Sequence, residues 1–224
     1  MEKYADRRAA GKILAEQLKD YANNSNIRIL ALPRGGVPVA YEVAKALLAP
    51  LDIFVVRKLG VPGYEELAMG AIASGETIIF NDEIINAYSI SKEAIEHVIQ
   101  VEKKELNHRE LLYCGERPHL SLKDKTIILV DDGIATGATM QAALKGLVLQ
   151  NPAHIIIATP VAALSIYKEM EKRVEKIICP LKPIQLNAVG AWYDDFSQTT
   201  NAEVAELLTT ARQNYEKAVS KGEH

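Results

Sequence analysis

Two adjacent acids, Asp131 and Asp132, follow an apolar run and precede the small residues of Gly133–Thr139. Residues with little or no side chain let the backbone turn tightly, so that several amide N–H groups can converge on one point. A helix that starts just after such a turn adds its unpaired N–H groups and the positive end of its dipole. Together with the hydroxyls of Thr136 and Thr139, this pattern predicts a phosphate site without a formal positive charge.

This segment differs from the two common phosphate loops, because neither the Walker pattern nor a G-x-G-x-x-G pattern after a strand occurs in the chain. Carboxylates repel phosphate, but they accept hydrogen bonds from sugar hydroxyls, as the ribose-binding acid of dinucleotide folds does. Asp131 and Asp132 beside an anion loop therefore predict a ligand with a diol near a phosphate, such as a ribose 5-phosphate. The alternative is a surface turn in which Asp caps a helix, which would explain one acid and one glycine only.

A second anion site is indicated by two other segments that follow apolar runs. Arg34, Gly35 and Gly36 follow the first run, and glycine there allows close backbone approach to a ligand. Arg57 and Lys58 follow the second run. A plain strand-to-helix turn would also explain the glycines, and solvated cations at a strand end would explain the other pair. Taken together, the three positive charges suit a pyrophosphate and its Mg²⁺.

Apolar segments alternate with helical patterns along the chain, which is typical of right-handed βαβ units. Strands that are apolar at consecutive positions are buried on both faces, as in a parallel sheet covered by helices. The sequence therefore predicts an α/β fold with a central, mostly parallel sheet flanked by helices and with ligands beyond the carboxyl ends of the strands. The predicted strands begin at Ile27, Leu51, Thr126, His154 and Lys176, and the second runs through Lys58. The predicted helices between them are Val37–Leu48, Thr139–Gln150 and Val161–Lys172.

Three regions fall outside this alternation, and all are expected to belong to one domain, 1–224. A segment punctuated by glycine and proline, at about 59–81, is predicted to be a flexible lid with glycine hinges. An amphipathic helix at about 91–113 is expected to pack against the domain or to contact a second subunit, so a homodimer is a possibility. The two ends, about 1–22 and 180–224, are predicted to form a small hood over the strand ends.

Composition narrows the class of protein further. The chain has 224 residues, a net charge of -3 and a pI of about 6.0, so it shows no electrostatic footprint for nucleic acid or an anionic membrane. It contains no apolar run of membrane-spanning length, and Cys114 and Cys179 have no metal or redox spacing. The five histidines also lack ligand spacing and are expected at the surface. These features predict a cytoplasmic protein with reduced thiols.

The motif from Ile127 through Thr139, "IILVDDGIATGAT", resembles the signature of the type I phosphoribosyltransferases, which bind 5-phosphoribosyl-1-pyrophosphate. "LPRGG" around Arg34 is similar to the pyrophosphate loop of that family, where a cis peptide often occurs, and "VVRK" is similar to its basic second strand end. A closer resemblance, over nearly the whole chain, is to a subgroup of predicted bacterial phosphoribosyltransferases without an assigned acceptor. "RKLGVPGYEELAMGAIASG" and "WYDDFSQTT" are shared with that subgroup.

The resemblance implies a role for each part of these motifs. Asp131 and Asp132 would bind the ribose hydroxyls and contact Mg²⁺ through water, and with Lys58 they would form the catalytic set. The 5-phosphate would be held by seven consecutive residues, namely Gly133, Ile134, Ala135, Thr136, Gly137, Ala138 and Thr139. The pyrophosphate would face Arg34, Gly35, Gly36 and Lys58, with Arg57 as a further cation.

The implied reaction displaces pyrophosphate from the anomeric carbon, with an oxocarbenium-like transition state. Within the lid, Glu65 or Glu66 could act as a general base, although solvated loop acids are the simpler interpretation. The acceptor would lie under the hood, where Trp192 and Tyr193 could stack on a base; aromatic residues near the end of a chain are as often part of the core. Asp194 or Asp195 could bond to the acceptor. The acceptor patterns of hypoxanthine-guanine, adenine, uracil and orotate enzymes are absent, so the acceptor stays unnamed.

Two other functions are compatible with parts of the pattern. A non-catalytic sensor of phosphoribosyl pyrophosphate or a nucleotide would keep the acid motif, but it would need neither Arg34 and Lys58 nor a lid with glycine hinges. A phosphatase or hydrolase acting on a phosphorylated sugar would use Asp131 and Asp132 as nucleophile and base, and it would leave the second anion site unexplained. An enzyme that transfers the phosphoribosyl group would use the acid motif, Arg34, Lys58 and the lid, so this function is the favoured interpretation.

Overall fold

The computed structural model describes residues 3–222, which form eight strands and seven α-helices. The strands are β1 (Ile27–Ala31), β2 (Leu51–Ile53), β3 (Val56–Val61), β4 (Tyr64–Ala73), β5 (Thr77–Phe80), β6 (Thr126–Val130), β7 (His154–Ala158) and β8 (Lys176–Ile178). The α-helices are α1 (Arg7–Gln17), α2 (Gly36–Leu47), α3 (Asp82–Ala87), α4 (Lys92–Cys114), α5 (Ala138–Val148), α6 (Leu164–Met170) and α7 (Asn201–Ser220). Single turns of 3₁₀ helix occur at Lys19–Tyr21 and Val189–Trp192.

Five of the strands form a central parallel sheet in the order β2-β1-β6-β7-β8. Successive side chains of a strand point to opposite faces, so Ile128 packs into the core on one face and Leu129 into the core on the other. Both residues are fully buried, as the unbroken apolar runs require. The predicted α/β fold, a parallel sheet flanked by helices, is confirmed.

The prediction of one strand over residues 51–58 is wrong, because this segment is divided between two sheets. The backbone N–H of Phe54 donates to the carbonyl of Ala31 in the central sheet at 2.9 Å. Val55 instead exchanges hydrogen bonds with Ser74, donating to its Oγ at 2.8 Å and accepting from its N–H at 2.9 Å. The chain therefore leaves the central sheet at this point and continues as β3.

A second, antiparallel sheet in the order β3-β4-β5, which we call the lid sheet, occupies most of the region where the sequence predicted a lid. It begins at Val56, so it includes both cations that were expected at the end of a central strand. Two register shifts interrupt the β3–β4 pairing around Gly60. Gly146 of α5 lies so close to β4 that a Cβ there would be 2.9 Å from the Cβ of Ala73.

The helix predicted at Val161–Lys172 starts later, at Leu164, and ends at Met170. The reason is that Val161 and Ala162 are extended rather than helical. Val161 forms a parallel bridge with Leu181, and the N–H of Ala162 donates to the carbonyl of the same leucine at 3.1 Å. Since these backbone groups are already paired with a neighbouring segment, they cannot join the helix.

Two segments from the region of the predicted hood pack together. Tyr4 pairs with Tyr193 in a short parallel bridge, and the N–H of Asp194 donates to the carbonyl of Tyr4 at 2.8 Å. We call Tyr193–Thr200 the strap. A small core lies here, formed by Tyr4, Ala10 and Tyr193 with Leu181, Val189, Trp192 and Phe196 packed against it. Residues 1–2 and 223–224 of the predicted hood lie outside the described residues.

The four described histidines, His97, His108, His119 and His154, are exposed as predicted, whereas His224 lies outside the described residues; His119 is also part of a polar cluster that the sequence did not indicate. Its Nδ1 is 3.1 Å from Oδ2 of Asp52 on β2, and its Nε2 is 3.4 Å from Oε1 of Glu110 on α4. The side chain is 34% exposed, and the Asp52 carboxylate beside it is 10% exposed. This ion-paired cluster joins the edge of the central sheet to the long helix. Among residues 3–222, no helix combines the length and apolar character needed to cross a bilayer.

Candidate active site

The acid pair Asp131–Asp132 lies directly beyond the carboxyl end of β6, the middle strand of the central sheet. The N–H of Asp132 donates to Oδ1 of Asp131 at 2.9 Å. Burial, and then the charge of Asp132, raise the pKa of Asp131 well above its usual range. Burial also raises the pKa of Asp132, although a hydrogen bond from Arg7 opposes this. Two enclosed carboxylates favour a ligand that brings hydroxyl donors or a cation.

Arg7 of α1 is a residue that the sequence analysis did not connect with the site. Its Nε donates to Oδ2 of Asp132 at 2.8 Å, and its terminal nitrogen NH1 donates to the carbonyl of Ser197 in the strap at 2.7 Å. The guanidinium lies over the ring of Phe196, with 3.7 Å from Cζ to the ring centroid. Nothing in the local spacing of α1 distinguishes Arg7 from other helix-surface cations, so only the fold identifies it.

The "LPRGG" loop lies against the acid pair, as the sequence analysis expected for neighbouring strand ends. The peptide bond between Pro33 and Arg34 is cis; the resemblance to the pyrophosphate loop implied a cis peptide that involves Arg34 or Gly35. A Cβ on Gly35 would overlap the carboxylate of Asp132. A Cβ on Gly36 would be 2.7 Å from the carbonyl oxygen of Val130. Both glycines are therefore needed because the loop touches the end of β6 and the acid that follows it.

The Arg34 side chain is held by the other end of the chain. Its terminal nitrogen NH1 is 3.4 Å from Oδ1 of Asn201, the first residue of α7. The same oxygen accepts a hydrogen bond from the hydroxyl of Tyr113 on α4 at 3.1 Å. Asn201 was not identified from the sequence, where it reads as an ordinary residue in the first turn of a helix. The contact places the guanidinium of Arg34, the first predicted pyrophosphate-binding cation, beside the start of α7.

The predicted phosphate loop connects the acids to α5. Gly137 has φ 77°, a left-handed conformation that favours glycine, and the helix begins with the next residue, Ala138. Gly137 supplies no side chain to cap the first turn. Gly133 fits between Val161 and Val189, because a Cβ there would overlap the Val189 side chain. Ile134 is buried, whereas the hydroxyl-bearing and small residues Thr136, Ala138 and Thr139 are exposed.

Arg57 and Lys58 lie on β3, and each is paired with an acid. Arg57 NH2 is 2.7 Å from Oε2 of Glu102 on α4, and Lys58 Nζ is 3.2 Å from Oε2 of Glu66 on β4. Both cations line a cavity of about 700 Å³ between the antiparallel sheet and α4. Glu65 and Glu66, the two candidates for a base, line the same cavity and are exposed. The structure thus pairs Arg57 with Glu102 and Lys58 with Glu66, and neither cation forms an ion pair with Asp131 or Asp132 among the described residues.

The structure corrects the expectation that Tyr193 stacks on a base. The residue is 3% exposed, and its ring packs against Tyr4 and Phe196, so protein covers it. Its hydroxyl donates to the backbone carbonyl of Asp132 at 2.6 Å, so Tyr193 contacts the backbone of the acid pair rather than a ligand. Trp192 is partly exposed, at the end of a 3₁₀ turn, and stays a candidate for contact with a ligand.

Asp131 and Asp132 fit a magnesium ion that arrives with a ligand. Within residues 3–222, no group of three or more His, Cys, Asp or Glu side chains is arranged to hold a metal ion by itself. Magnesium, however, is usually bound by one or two carboxylates together with substrate phosphates and water. The chemistry of the acid pair suits this second kind of site.

The sequence profile of the family described as "Phosphoribosyl transferase domain" matches residues 2–195. Two curated proteins of Mycobacterium tuberculosis, from strains CDC 1551 and H37Rv, are each 36% identical to the chain over 218 residues, or 97% of it. Both are provisionally named as phosphoribosyl transferases. The chain spans about half of these relatives, since the match covers 49% of each.

Among solved structures, the TT1426 protein from Thermus thermophilus is 35% identical and has a TM-score of 0.81. The match covers 93% of this chain and 98% of that one. The AQ2163 protein from Aquifex aeolicus is 16% identical with a TM-score of 0.50, and the match covers 82% of this chain and 78% of that one. This second likeness concerns the fold alone. From the profile match over most of its length, the chain belongs to the phosphoribosyl transferase domain family.

Proposed function

We propose that this chain is a Mg²⁺-dependent phosphoribosyltransferase that uses 5-phosphoribosyl-1-pyrophosphate as donor and a nitrogenous compound as acceptor. One observation carries the proposal. The enclosed acid pair Asp131–Asp132 adjoins Gly35 and Gly36 of one anion loop and leads directly into the small-residue loop before α5. The donor is a ribose with a phosphate at one end and a pyrophosphate at the other, and this matches a pair of acids that lies between two anion loops. The family of the chain supports the same donor.

In the proposed complex, Asp131 and Asp132 accept hydrogen bonds from the ribose hydroxyls. The N–H groups and hydroxyls of Gly133–Thr139 hold the 5-phosphate, aided by the start of α5. The pyrophosphate lies against Arg34 and the two glycines after it. Lys58 joins them when the lid sheet closes over the site, a movement that would also exclude water.

The proposed reaction breaks the bond between the anomeric carbon and a pyrophosphate oxygen and forms a bond from that carbon to an acceptor nitrogen. Positive charge develops on the ribose ring as the pyrophosphate leaves. The carboxylates of Asp131 and Asp132 favour this charge, while Arg34 and Lys58 stabilise the leaving group. Asp131 and Asp132 would hold Mg²⁺ through water, and the bound ion would neutralise part of the charge of the pyrophosphate. The acceptor nitrogen loses a proton, for which Glu65 and Glu66 are the candidate bases.

A nucleobase is one class of acceptor that this proposal admits, with Trp192 as the partly exposed ring available for stacking. We further propose a homodimer in the cytoplasm that does not bind nucleic acid. The exposed side chains of Leu111 and Leu112 near the end of α4 favour a subunit contact there. Sedimentation velocity on the wild type and on a Leu111→Lys, Leu112→Lys variant tests this assembly, and a wild type that sediments as a monomer contradicts it.

Titration calorimetry with phosphoribosyl pyrophosphate and Mg²⁺ tests the donor. We expect the wild type to bind and an Asp131→Asn, Asp132→Asn variant to bind at least about tenfold more weakly, because the sugar hydroxyls lose both carboxylates. A Glu16→Gln, Asp20→Asn variant removes the same two charges from exposed positions and serves as the matched control. A folded wild type that binds no donor contradicts the proposal.

A screen of nucleobases and amines for pyrophosphate release then tests transfer. Release that depends on one class of acceptor identifies the enzyme and its substrate class. Donor binding without release for any acceptor would instead support a sensor of phosphoribosyl pyrophosphate. Because the two assays are separate, the donor and the reaction are judged independently.

A further inference from the structure

Arg7 occupies a position between three parts of the molecule. It belongs to the first turn of α1, bonds to the carboxylate of Asp132, and bonds to the backbone of the strap at Ser197. Its side chain is 11% exposed and that of Asp132 is 14% exposed, so the ion pair is largely removed from water. The ring of Phe196 covers one face of the guanidinium and restricts its plane.

The acid pair has little other positive charge near it. Across residues 3–222, Arg7 is the one cation that forms an ion pair with either Asp131 or Asp132. An enclosed carboxylate needs a hydrogen-bonded cation to stay ionised and ordered. Arg7 engages one oxygen of the carboxylate, Oδ2, and therefore determines the rotation of the group. The rotation of this carboxylate in turn decides where its oxygens can accept a hydrogen bond.

We propose that Arg7 is a positioning residue for the donor site, which orients the Asp132 carboxylate toward the ribose hydroxyls and joins it to the strap. This inference rests on the proposed function, since it assumes that Asp132 accepts those hydroxyls. Arginine suits the role because its planar group donates in two directions while one face stacks on Phe196. A lysine at the same position could bond to Asp132 or to Ser197, but its compact ammonium would not bridge them in the same plane.

The test compares Arg7→Gln and Arg7→Lys with the wild type by calorimetry. We expect Arg7→Gln to weaken the binding of phosphoribosyl pyrophosphate by about tenfold or more, and Arg7→Lys to restore part of the loss. Arg8→Gln is the matched control. Arg8 is the next residue of the same helix, also pairs with a buried acid, Glu42 at 3.6 Å, and also lies near an aromatic ring, Tyr41. The control is expected to bind the donor within about twofold of the wild type.

Two further measurements separate positioning from a general loss of structure. Arg7→Gln should leave the binding of metal-free pyrophosphate, titrated in the presence of a chelator, unchanged, because that ligand brings neither a ribose nor Mg²⁺ to Asp132. Arg7→Gln combined with Asp132→Asn should be no worse than Asp132→Asn alone, since Arg7 acts through that carboxylate. Equal weakening of pyrophosphate, or additive effects in the double variant, would overturn the inference.

The outcomes also distinguish this inference from the proposed function. A wild type that binds the donor, with an Arg7→Gln variant of unchanged affinity, overturns the role of Arg7 alone. A wild type that binds no donor overturns the proposed function and the role of Arg7 with it. Thermal unfolding of each variant verifies that it is folded at the temperature of the titration.

Discussion

At the scale of single residues, the site combines groups that would be unfavourable elsewhere. Asp131 and Asp132 are neighbouring carboxylates in enclosed surroundings, and one of them faces a loop in which glycine is required at two positions. Such arrangements lower stability and are retained where function needs them. The Arg7 ion pair offsets part of this cost for Asp132.

Asp131→Asn is predicted to stabilise the fold while weakening donor binding. Burial, and then the charge of Asp132, raise the pKa of Asp131, so its ionised form is disfavoured by folding at neutral pH. Asparagine keeps an oxygen for the N–H of Asp132 and removes the charge. We expect the free energy of unfolding to rise by about 1 kcal/mol or more, which is roughly 2–4 °C in Tm for a chain of this size.

Thermal unfolding at pH 7 measures this effect. An Asp20→Asn variant, which removes an exposed charge, should leave Tm within about 1 °C of the wild type. A lower Tm for Asp131→Asn would show that the carboxylate stabilises the ligand-free fold, contrary to the prediction.

Gly35→Ala is predicted to destabilise the fold, because the added Cβ would overlap the Asp132 carboxylate. The nearest atoms to that Cβ all belong to the Asp132 side chain. We therefore expect Gly35→Ala to cost about 1–3 kcal/mol in the wild-type background and clearly less in an Asp132→Ala background. Denaturant unfolding of the four proteins gives the coupling energy, and a value near zero would mean that the two residues do not touch.

At the scale of elements, a polar cluster joins β2, β4 and α4. Ser74 at the end of β4 donates from Oγ to Oε1 of Glu110 at 2.6 Å, and the same carboxylate oxygen lies beside His119. Asp52 accepts from the N–H of Leu120 at 3.1 Å and pairs with the other side of the imidazole. The cluster thus ties the lid sheet and the long helix to the edge of the central sheet.

The stability of the fold is predicted to depend on His119 at alkaline pH. Hydrogen bonds to Asp52 and then to Glu110 raise the pKa of His119 to about 10, above its ordinary value of 6.5. When a group has a higher pKa in the folded than in the unfolded protein, it stabilises the fold to its full extent at any pH below its pKa in the unfolded protein. The contribution of His119 is therefore complete below pH 6.5 and is lost as pH rises toward 10.

Tm measured from pH 6 to pH 10 checks this dependence. In His119→Gln the fall of Tm with pH should be shallower than in the wild type. His154→Gln is the matched control, because His154 is 55% exposed and pairs with an exposed acid, Glu175, at 3.5 Å. Parallel curves for the wild type and His119→Gln would contradict the predicted role.

At the scale of the whole molecule, the described residues contain two large cores, one on each face of the central sheet, and the small core of the hood. The hood packs into a large core of the sheet through Leu14 of α1 and Leu208 of α7, and it is also bonded to the site by the hydroxyl of Tyr193 on the carbonyl of Asp132 and by Arg7. Because of these contacts, we predict that the hood and the sheet unfold together.

Trp192, the single tryptophan of the chain, reports on the hood and permits a direct test. We expect its fluorescence and the far-ultraviolet circular dichroism to show coincident unfolding transitions, as in a two-state domain. A Trp192→Phe variant confirms the origin of the fluorescence signal. A hood transition several degrees below the loss of secondary structure would mean that the hood is a separate unit.

Some properties of this protein could be predicted from the sequence because they are local. The apolar runs of consecutive or near-consecutive residues determine buried parallel strands, and the helical periods between them determine the covering helices. Asp131, Asp132 and the glycines of both loops follow strands directly, so the common edge of a parallel sheet brings them together. Their types and their places in the chain were sufficient to predict that they lie close together.

Other properties were decided only by the tertiary structure. Arg7 and Asp132 are 125 residues apart, and Arg34 and Asn201 are 167 apart, so no local pattern relates either pair. The division of the strand at Val55, the burial of Tyr193 and the pairing of His119 likewise depend on partners from distant segments. The physical reason is that residue type and period specify what an element must bury, whereas the partner of a polar group depends on which elements meet in space.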